Sequence, residues 1–243
     1  MIHLHCGDAF DVTTGLPSLT DQSVDMVLTD PPFDARTHRA ATETGAGRSR
    51  GRNITGALPF APFNAEQIQR AAEQFGRLSR RWCLVFCSER QVELWALALE
   101  RAGMRFVRLG AAVRTNPRPM MTGRCPAPGI DPIVVAHSSA PMTWNAGGHA
   151  AVWESPSARF DTGRKSVHPT QKPLHLMRSL VNDFSAPGEL ILDPFAGSGT
   201  TALACQELGR RFVGWEMNAG YHAVAMQRLG LATEQLSVTK VSP

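Results

Sequence analysis

Lysine is scarce in this sequence. It stands only at positions 165, 172 and 240, and the rest of the 25 basic residues are arginine. The five cysteines (Cys6, Cys83, Cys87, Cys125 and Cys205) form no Cys-x-x-Cys pair, and no Cys/His group has the spacing of a zinc site. That argues against a structural zinc module, and no metal is expected. His3 and His5 share a strand face, but two histidines alone do not make a metal site. No apolar run approaches the ~20 residues needed to cross a bilayer. Met1-Ile2-His3-Leu4-His5 has neither the basic start nor the apolar stretch of a secretory signal. With scattered thiols and no export signal, the expected setting is the reducing cytoplasm.

What is present suits one α/β domain spanning 1–243: 243 residues, 43% hydrophobic and 19% charged. The net charge of +4 favours an acidic partner such as nucleic acid. Arginine also suits bidentate contact with phosphate or guanine.

Apolar patterning predicts seven strands, at 2–6, 24–29, 82–87, 106–113, 130–136, 189–193 and 211–216. Helical spacing covers 64–80, 89–102, 199–208 and 219–229, and Pro173 fits the first turn of another helix reaching Phe184. Cys83 and Cys87 share one face of their strand and read as core. Strands alternating with helices make a mostly parallel, doubly wound sheet with helices on both faces. Residues 34–58 break the pattern: they are rich in Gly, Thr, Ala and Arg, and read as a long loop. The segments 114–128 and 138–167 are also irregular, the latter carrying Trp144 and Trp153.

Asp193-Pro194-Phe195-Ala196-Gly197-Ser198-Gly199-Thr200-Thr201 follows a strand and opens a helix. Its glycines permit a tight turn and close backbone approach, and the helix N-terminus attracts an anionic group. About 20 residues on, Glu216 ends the next strand, where an acid holds ribose hydroxyls. Together they point to a nucleoside-type cofactor. No Gly-Lys-Ser/Thr follows, which disfavours a P-loop, while a nicotinamide dinucleotide fits this loop equally well.

Asp30-Pro31-Pro32-Phe33 ends another strand, at the sheet edge where α/β proteins bind ligands. An exocyclic base amine is a poor nucleophile because its lone pair is delocalised into the ring. Two acceptors at its two N–H groups draw it toward a pyramidal, more nucleophilic form. The Asp30 carboxylate can be one acceptor and the Pro31 carbonyl the other. The prolines fix the backbone and remove a competing donor. Phe33 can stack on a base taken out of the duplex. Alone, the tetrapeptide is equally a strand-ending turn with a capping Asp.

These motifs together resemble the amino-methylating DNA methyltransferases of the permuted β class. Asp30 to Phe33 is similar to their D-P-P-Y/F motif, Asp193 to Thr200 to D-P-F-x-G-S-G-T, and His168-Pro169-Thr170-Gln171-Lys172-Pro173 to H-P-T-Q-K-P, in the β-class order. The resemblance covers roughly half of the chain, at both ends. It implies a Rossmann-like methyltransferase fold of seven strands, one of them antiparallel. It implies S-adenosylmethionine held by Asp8, His168, Thr170, Gln171, Lys172, Asp193, Phe195, Gly197, Ser198, Gly199, Thr200 and Glu216. Asp30, Pro31, Pro32 and Phe33 would be catalytic, and the partner would be double-stranded DNA. The leading Asp leans toward adenine N6 over cytosine N4. The variable segments would read DNA, with Arg36, Arg39, Arg48, Arg50 and Arg52 tracking phosphates. A chain with no separate recognition domain covers little DNA, and a homodimer would widen that footprint. Two positions depart from the family: Val113-Arg114-Thr115 stands where Trp-x-Lys is common, and Gly129-Ile130-Asp131-Pro132 where a Glu is common. Other readings of the chain are a DNA-binding module with a relict pocket, a nicotinamide dehydrogenase, and an RNA or protein methyltransferase.

Overall fold

Apolar runs punctuated by Gly, Pro and Asp become the strands of one sheet. The computed structural model describes residues 1–34, 62–117, 119, 123–124, 126–156 and 171–231. The strands are β1 (Ile2–Cys6), β2 (Val24–Thr29), β3 (Ser79–Phe86), β4 (Arg105–Arg114), β5 (Ile130–His137), β6 (Val152–Ser155), β7 (Leu190–Asp193) and β8 (Arg211–Glu216). They lie side by side in the order β1-β8-β7-β2-β3-β5-β4-β6. Only β5 runs against its neighbours, antiparallel to β3 and to β4.

Among the described residues the α-helices are α1 (Ala65–Leu78), α2 (Val92–Arg101), α3 (Leu174–Phe184), α4 (Thr200–Glu207) and α5 (Ala219–Arg228). Asn64 starts α1 with a capping box: its side chain accepts from Gln67 N at 2.9 Å, and the Gln67 side chain accepts from Asn64 N at 3.0 Å. The helix buries Ile68, Ala71, Ala72, Phe75 and Leu78. Each large side chain so buried contributes roughly 1.5–3 kcal/mol. α1 and α2 share one apolar layer with Val27, Cys83, Val85 and Leu192. α3 and α4 share the layer on the other face with Met26, Leu28, Leu84 and Phe212. Alternation from Met26 to Leu28 of β2 therefore feeds both layers, as a central parallel strand must.

The order of strands fixes where a ligand can bind. From β7 the chain passes through α4 to β8 on one side; from β2 it passes through α1 to β3 on the other. β7 and β2 are parallel neighbours, paired at Met26↔Ile191 and Val27↔Leu192. Their carboxyl ends flank the switch point, where the loops diverge and leave a crevice.

The sheet has eight strands where periodicity predicts seven. The additional one, β6, is four residues long and lies within the irregular 138–167 segment, pairing in parallel with β4 from Ala111↔Val152 to Arg114↔Ser155. Trp153 on β6 is buried beside Phe184 and gives its Nε1–H to Asp183 at 2.8 Å, so this tryptophan is core. Trp144 packs edge-on against the same Phe184, at 4.9 Å between centroids. Cys83 and Cys87 are buried, and burial pushes the Cys87 thiol up to about 12. Among the described residues, no helix is long and apolar enough to cross a membrane.

Candidate active site

The glycine turn sits at the carboxyl end of β7 and is held from three sides. Asp193, the last residue of β7, is buried and has both oxygens engaged: Oδ1 accepts from Thr29 Oγ1 at 2.8 Å and Phe195 N at 3.1 Å, and Oδ2 from Thr201 Oγ1 at 2.6 Å. Burial pushes its carboxyl up to about 6, against the pull of these donors. With its oxygens so occupied, Asp193 anchors the loop. Gly197 and Gly199 both adopt left-handed backbone, φ +54° and +76°. A Cβ on Gly199 would lie 2.9 Å from the Ala225 Cβ of α5, whereas a Cβ on Gly197 would meet nothing within 4 Å. Left-handed backbone favours glycine at both positions; at Gly199 a side chain would also clash, whereas Gly197 leaves open space beside the backbone.

Arg228, also on α5, makes the third attachment. Its guanidinium donates to the Ser198 carbonyl, to Ser198 Oγ at 2.9 Å and to Thr200 Oγ1 at 3.3 Å. The two hydroxyls predicted for a ligand thus turn toward Arg228, as does the Ser198 carbonyl. Arg228 carries no motif of its own, and sequence reasoning passes it over.

Glu216 ends β8 beside Cys6 of β1. Its Oε1 accepts from Asn218 N at 2.7 Å. Burial raises its carboxyl above the ordinary range, offset in part by the amides of Asn218 and Gly197. Gly7 N donates to the Glu216 carbonyl at 3.0 Å, which sets Asp8 next to it; Asp8 Oδ1 accepts from Phe10 N at 2.9 Å. Phe195 meets Phe63 edge-on at 5.3 Å and Phe10 at 6.2 Å between centroids, forming an aromatic wall. The resemblance names neither Phe10 nor Phe63.

The tetrapeptide opens onto the same crevice. Asp30 follows Thr29 directly, and Thr29 is hydrogen-bonded to Asp193, so the two motifs meet across the β2–β7 seam. Pro31 is buried; Pro32 and Phe33 are partly buried. Lys172 gives its ammonium to both oxygens of Asp30, at 2.8 Å each. The same nitrogen lies 4.0 Å from Asp131 Oδ2, and 5.3 and 4.7 Å from the ring centroids of Phe33 and Phe86. Arg114 on β4 pairs with Asp131 on β5. These are the residues that stand where the family carries other types.

Burial pushes the Asp30 carboxyl above its ordinary value, and the Lys172 ammonium opposes that rise. Burial also works on Asp131, but Lys172 and Arg114 together outweigh it and hold that carboxyl below the ordinary range.

Lys172 thus stands against the tetrapeptide, a placement the resemblance does not anticipate. Gln171 beside it is partly buried, and its Oε1 has no hydrogen-bond partner among the described residues. His168, Thr170, Arg36, Arg39, Arg48, Arg50 and Arg52 lie outside the described residues. No group of three His, Cys, Asp or Glu side chains among the described residues could hold a metal; His5 instead stacks on Trp215 at 5.0 Å.

An open glycine cradle, the Glu216 carboxylate at the end of β8 and the orphaned Gln171 acceptor fit a nucleoside cofactor with an amino-acid end. Comparison with known proteins agrees. The chain is 26% identical over 244 residues to the type II methyltransferase M2.DpnII of Streptococcus pneumoniae, covering 90% of this chain and 87% of that one. It is 40% identical over 82 residues to the DNA adenine methyltransferase YhdJ of Escherichia coli (strain K12), 34% of this chain and 28% of that one. The alignments to the curated relatives of highest identity span about a quarter of those proteins' length. The crystal structure of an M1.HpyAVI–SAM complex superposes with a TM-score of 0.69 at 26% identity, covering 94% of this chain and all of that one. A model of the N6/N4 DNA methylases matches residues 24–227, so this chain belongs to the N6/N4 DNA methylase family.

Proposed function

We propose that this protein methylates the N6 amino group of an adenine flipped out of double-stranded DNA, with S-adenosylmethionine as methyl donor. One observation carries the reading: the Thr29–Asp193 hydrogen bond, which sets the Asp30 carboxylate beside the glycine turn. The leading Asp of the tetrapeptide and the adenine methyltransferase among its relatives support adenine over cytosine.

The cofactor would lie against the Gly197–Gly199 backbone, its ribose hydroxyls on Glu216, its adenine near Asp8 and the Phe10–Phe195 wall, and its methionine end near Gln171, with His168 and Thr170 close by in sequence. When bound, it would supply an electrophilic methyl group, the S–CH3 bonding pair returning to sulfur to leave a neutral thioether. The chain's own part is to present the nucleophile. Asp30 accepts one amine N–H and the Pro31 carbonyl the other, which localises the nitrogen lone pair. Phe33 stacks on the extruded base. As the N–CH3 bond forms, the nitrogen sheds one proton, and the Asp30 carboxylate stands ready to accept it. Much of the rate comes from alignment in a near-attack geometry. Arg36, Arg39, Arg48, Arg50 and Arg52 would follow the DNA phosphates, and a homodimer would extend the contact.

Nucleoside mass spectrometry of DNA incubated with protein and cofactor tests this. N6-methyladenine is the expected product, and Asp30→Ala should abolish it while cofactor affinity measured by calorimetry stays within about threefold, a change of less than ~1 kcal/mol. N4-methylcytosine would overturn the base assignment, and a fully active Asp30→Ala would overturn the role of the carboxylate.

A further inference from the structure

The proposed reaction asks two things of the target amine: its N–H groups meet the Asp30 carboxylate, and its base stacks on Phe33. Both contacts already have an occupant. Lys172 presents N–H donors to both Asp30 oxygens at 2.8 Å and sits over the Phe33 ring, 5.3 Å from its centroid. The lysine ammonium therefore fills the seat that the amine would take. A second seat adjoins it. Asp131 Oδ1 is engaged by Arg114, while Oδ2 stands 4.0 Å from the lysine nitrogen. Closing that gap to hydrogen-bond length takes about 1 Å of movement at the tip of a flexible side chain.

We propose that Lys172 is a positioning residue with two seats: it occupies the amine's place on Asp30 in the DNA-free protein and moves to Asp131 when the base enters. The proposal rests on the base-methylation reading above.

This arrangement answers two conflicting demands. A carboxylate taken out of water needs a counter-charge to stay ionised. As an acceptor for the incoming amine, it also needs free oxygens. With Lys172 on Asp131, the positive charge remains beside Asp30 while both oxygens come free. Among the described residues, the charged and titratable groups that face Asp30 are Lys172, Asp131, Arg114, Asp193 and the Cys87 thiol. Of these, only Lys172 touches it with opposite charge. Removing Lys172 takes away the opposite charge in contact with the carboxylate and leaves only the more distant Arg114 against Asp131, so Asp30 protonates at higher pH. Neutralising Asp131 has the opposite sign: it removes a like charge and also Lys172's second seat.

The test uses the full chain, DNA bearing its target site, and single-turnover rates across pH. Base extrusion is followed by 2-aminopurine fluorescence at the target and cofactor affinity by calorimetry. Lys172→Met should move the acid limb of the rate profile up by about one pH unit or more, roughly a tenfold loss at fixed pH on that limb. Its cofactor affinity should stay near that of the parent. Lys172→Arg should keep the parent limb. Asp131→Asn should move the limb down and raise the DNA concentration needed for half-maximal fluorescence.

An unshifted limb in both Lys172→Met and Asp131→Asn overturns the proposal. So does a loss in Lys172→Met confined to cofactor affinity, which would return this lysine to the methionine end. Should Lys172→Met fail to fold, Asp131→Asn and Lys172→Arg decide by the same criteria. Absence of any methylated base with the parent protein overturns the base-methylation reading itself, a result separate from all of these.

Discussion

Replacing Gly199 by alanine would strain the turn in two separable ways. The residue sits at φ +76°, and a new Cβ would lie 2.9 Å from the Cβ of Ala225 on α5. Left-handed backbone costs a non-glycine residue about 1–2 kcal/mol. Overpacking against Ala225 adds about 1–3 kcal/mol. The single variant should therefore lose about 2–5 kcal/mol of stability, the sum of those terms. Ala225→Gly removes the obstructing methyl; by itself it should cost about 2 kcal/mol, from helix propensity and one buried carbon. The double variant keeps the backbone strain but not the clash, so it should be about 1–3 kcal/mol more stable than additivity predicts. Urea unfolding of the four proteins gives the cycle. Cofactor affinity should follow it, falling in Gly199→Ala as the start of α4 shifts and recovering in part in the double variant. Additivity within about 0.5 kcal/mol would refute the argument, since contacting residues would then behave as independent ones.

Two further outcomes follow from the carboxylates of the site. Glu216→Ala should weaken cofactor binding by about 1–3 kcal/mol, read by calorimetry. Because burial raises the Glu216 carboxyl, the affinity of the parent protein should fall as pH drops through a point above the ordinary glutamate value of 4.5, and the alanine variant should lack that dependence. Asp193 carries its proton up to about pH 6 in the folded chain, against 3.8 ordinarily. The native state thus binds more protons than the unfolded state between those values, and stability from this group is present below about 4 and lost as pH rises through about 6. Relative to Asp193→Asn, the parent should lose up to about 3 kcal/mol over that window in pH-dependent urea unfolding.

Both motifs of the site were readable because proline and glycine punctuate them. Asp30-Pro31-Pro32 cannot continue a ladder, and Gly197 and Gly199 mark a turn that needs left-handed backbone twice. Element boundaries fell close for the same reason: β1 and β8 occupy the residues that alternation assigned, and Pro173 stands just ahead of α3. What escaped has physical causes as well. β6 is four residues inside a stretch of small residues, and the packing of Trp153 on Phe184 that accompanies it is a contact between residues distant in sequence. Lys172 reaches Asp30 across 142 residues, a contact that no local pattern encodes. Asp131 faces Ala112 across the antiparallel β4–β5 ladder, and Arg114 reaches it diagonally from two residues further on, so the pair becomes visible only once that register is known. Arg228 acts through its place on α5, and an isolated arginine on a helix gives no hint of what it holds.

The bond from Thr29 to Asp193 spans 164 positions. A growing polypeptide therefore completes β2 through β6 with one apolar lip of the sheet still bare, because the partner of β2 on that side is made much later. Such an unpaired edge invites clumping with other chains. When β7 arrives, a single docking event hides the lip and brings the tetrapeptide to the glycine turn. Any molecule able to bind cofactor against a finished crevice has, by that fact, already passed its most vulnerable stage of maturation.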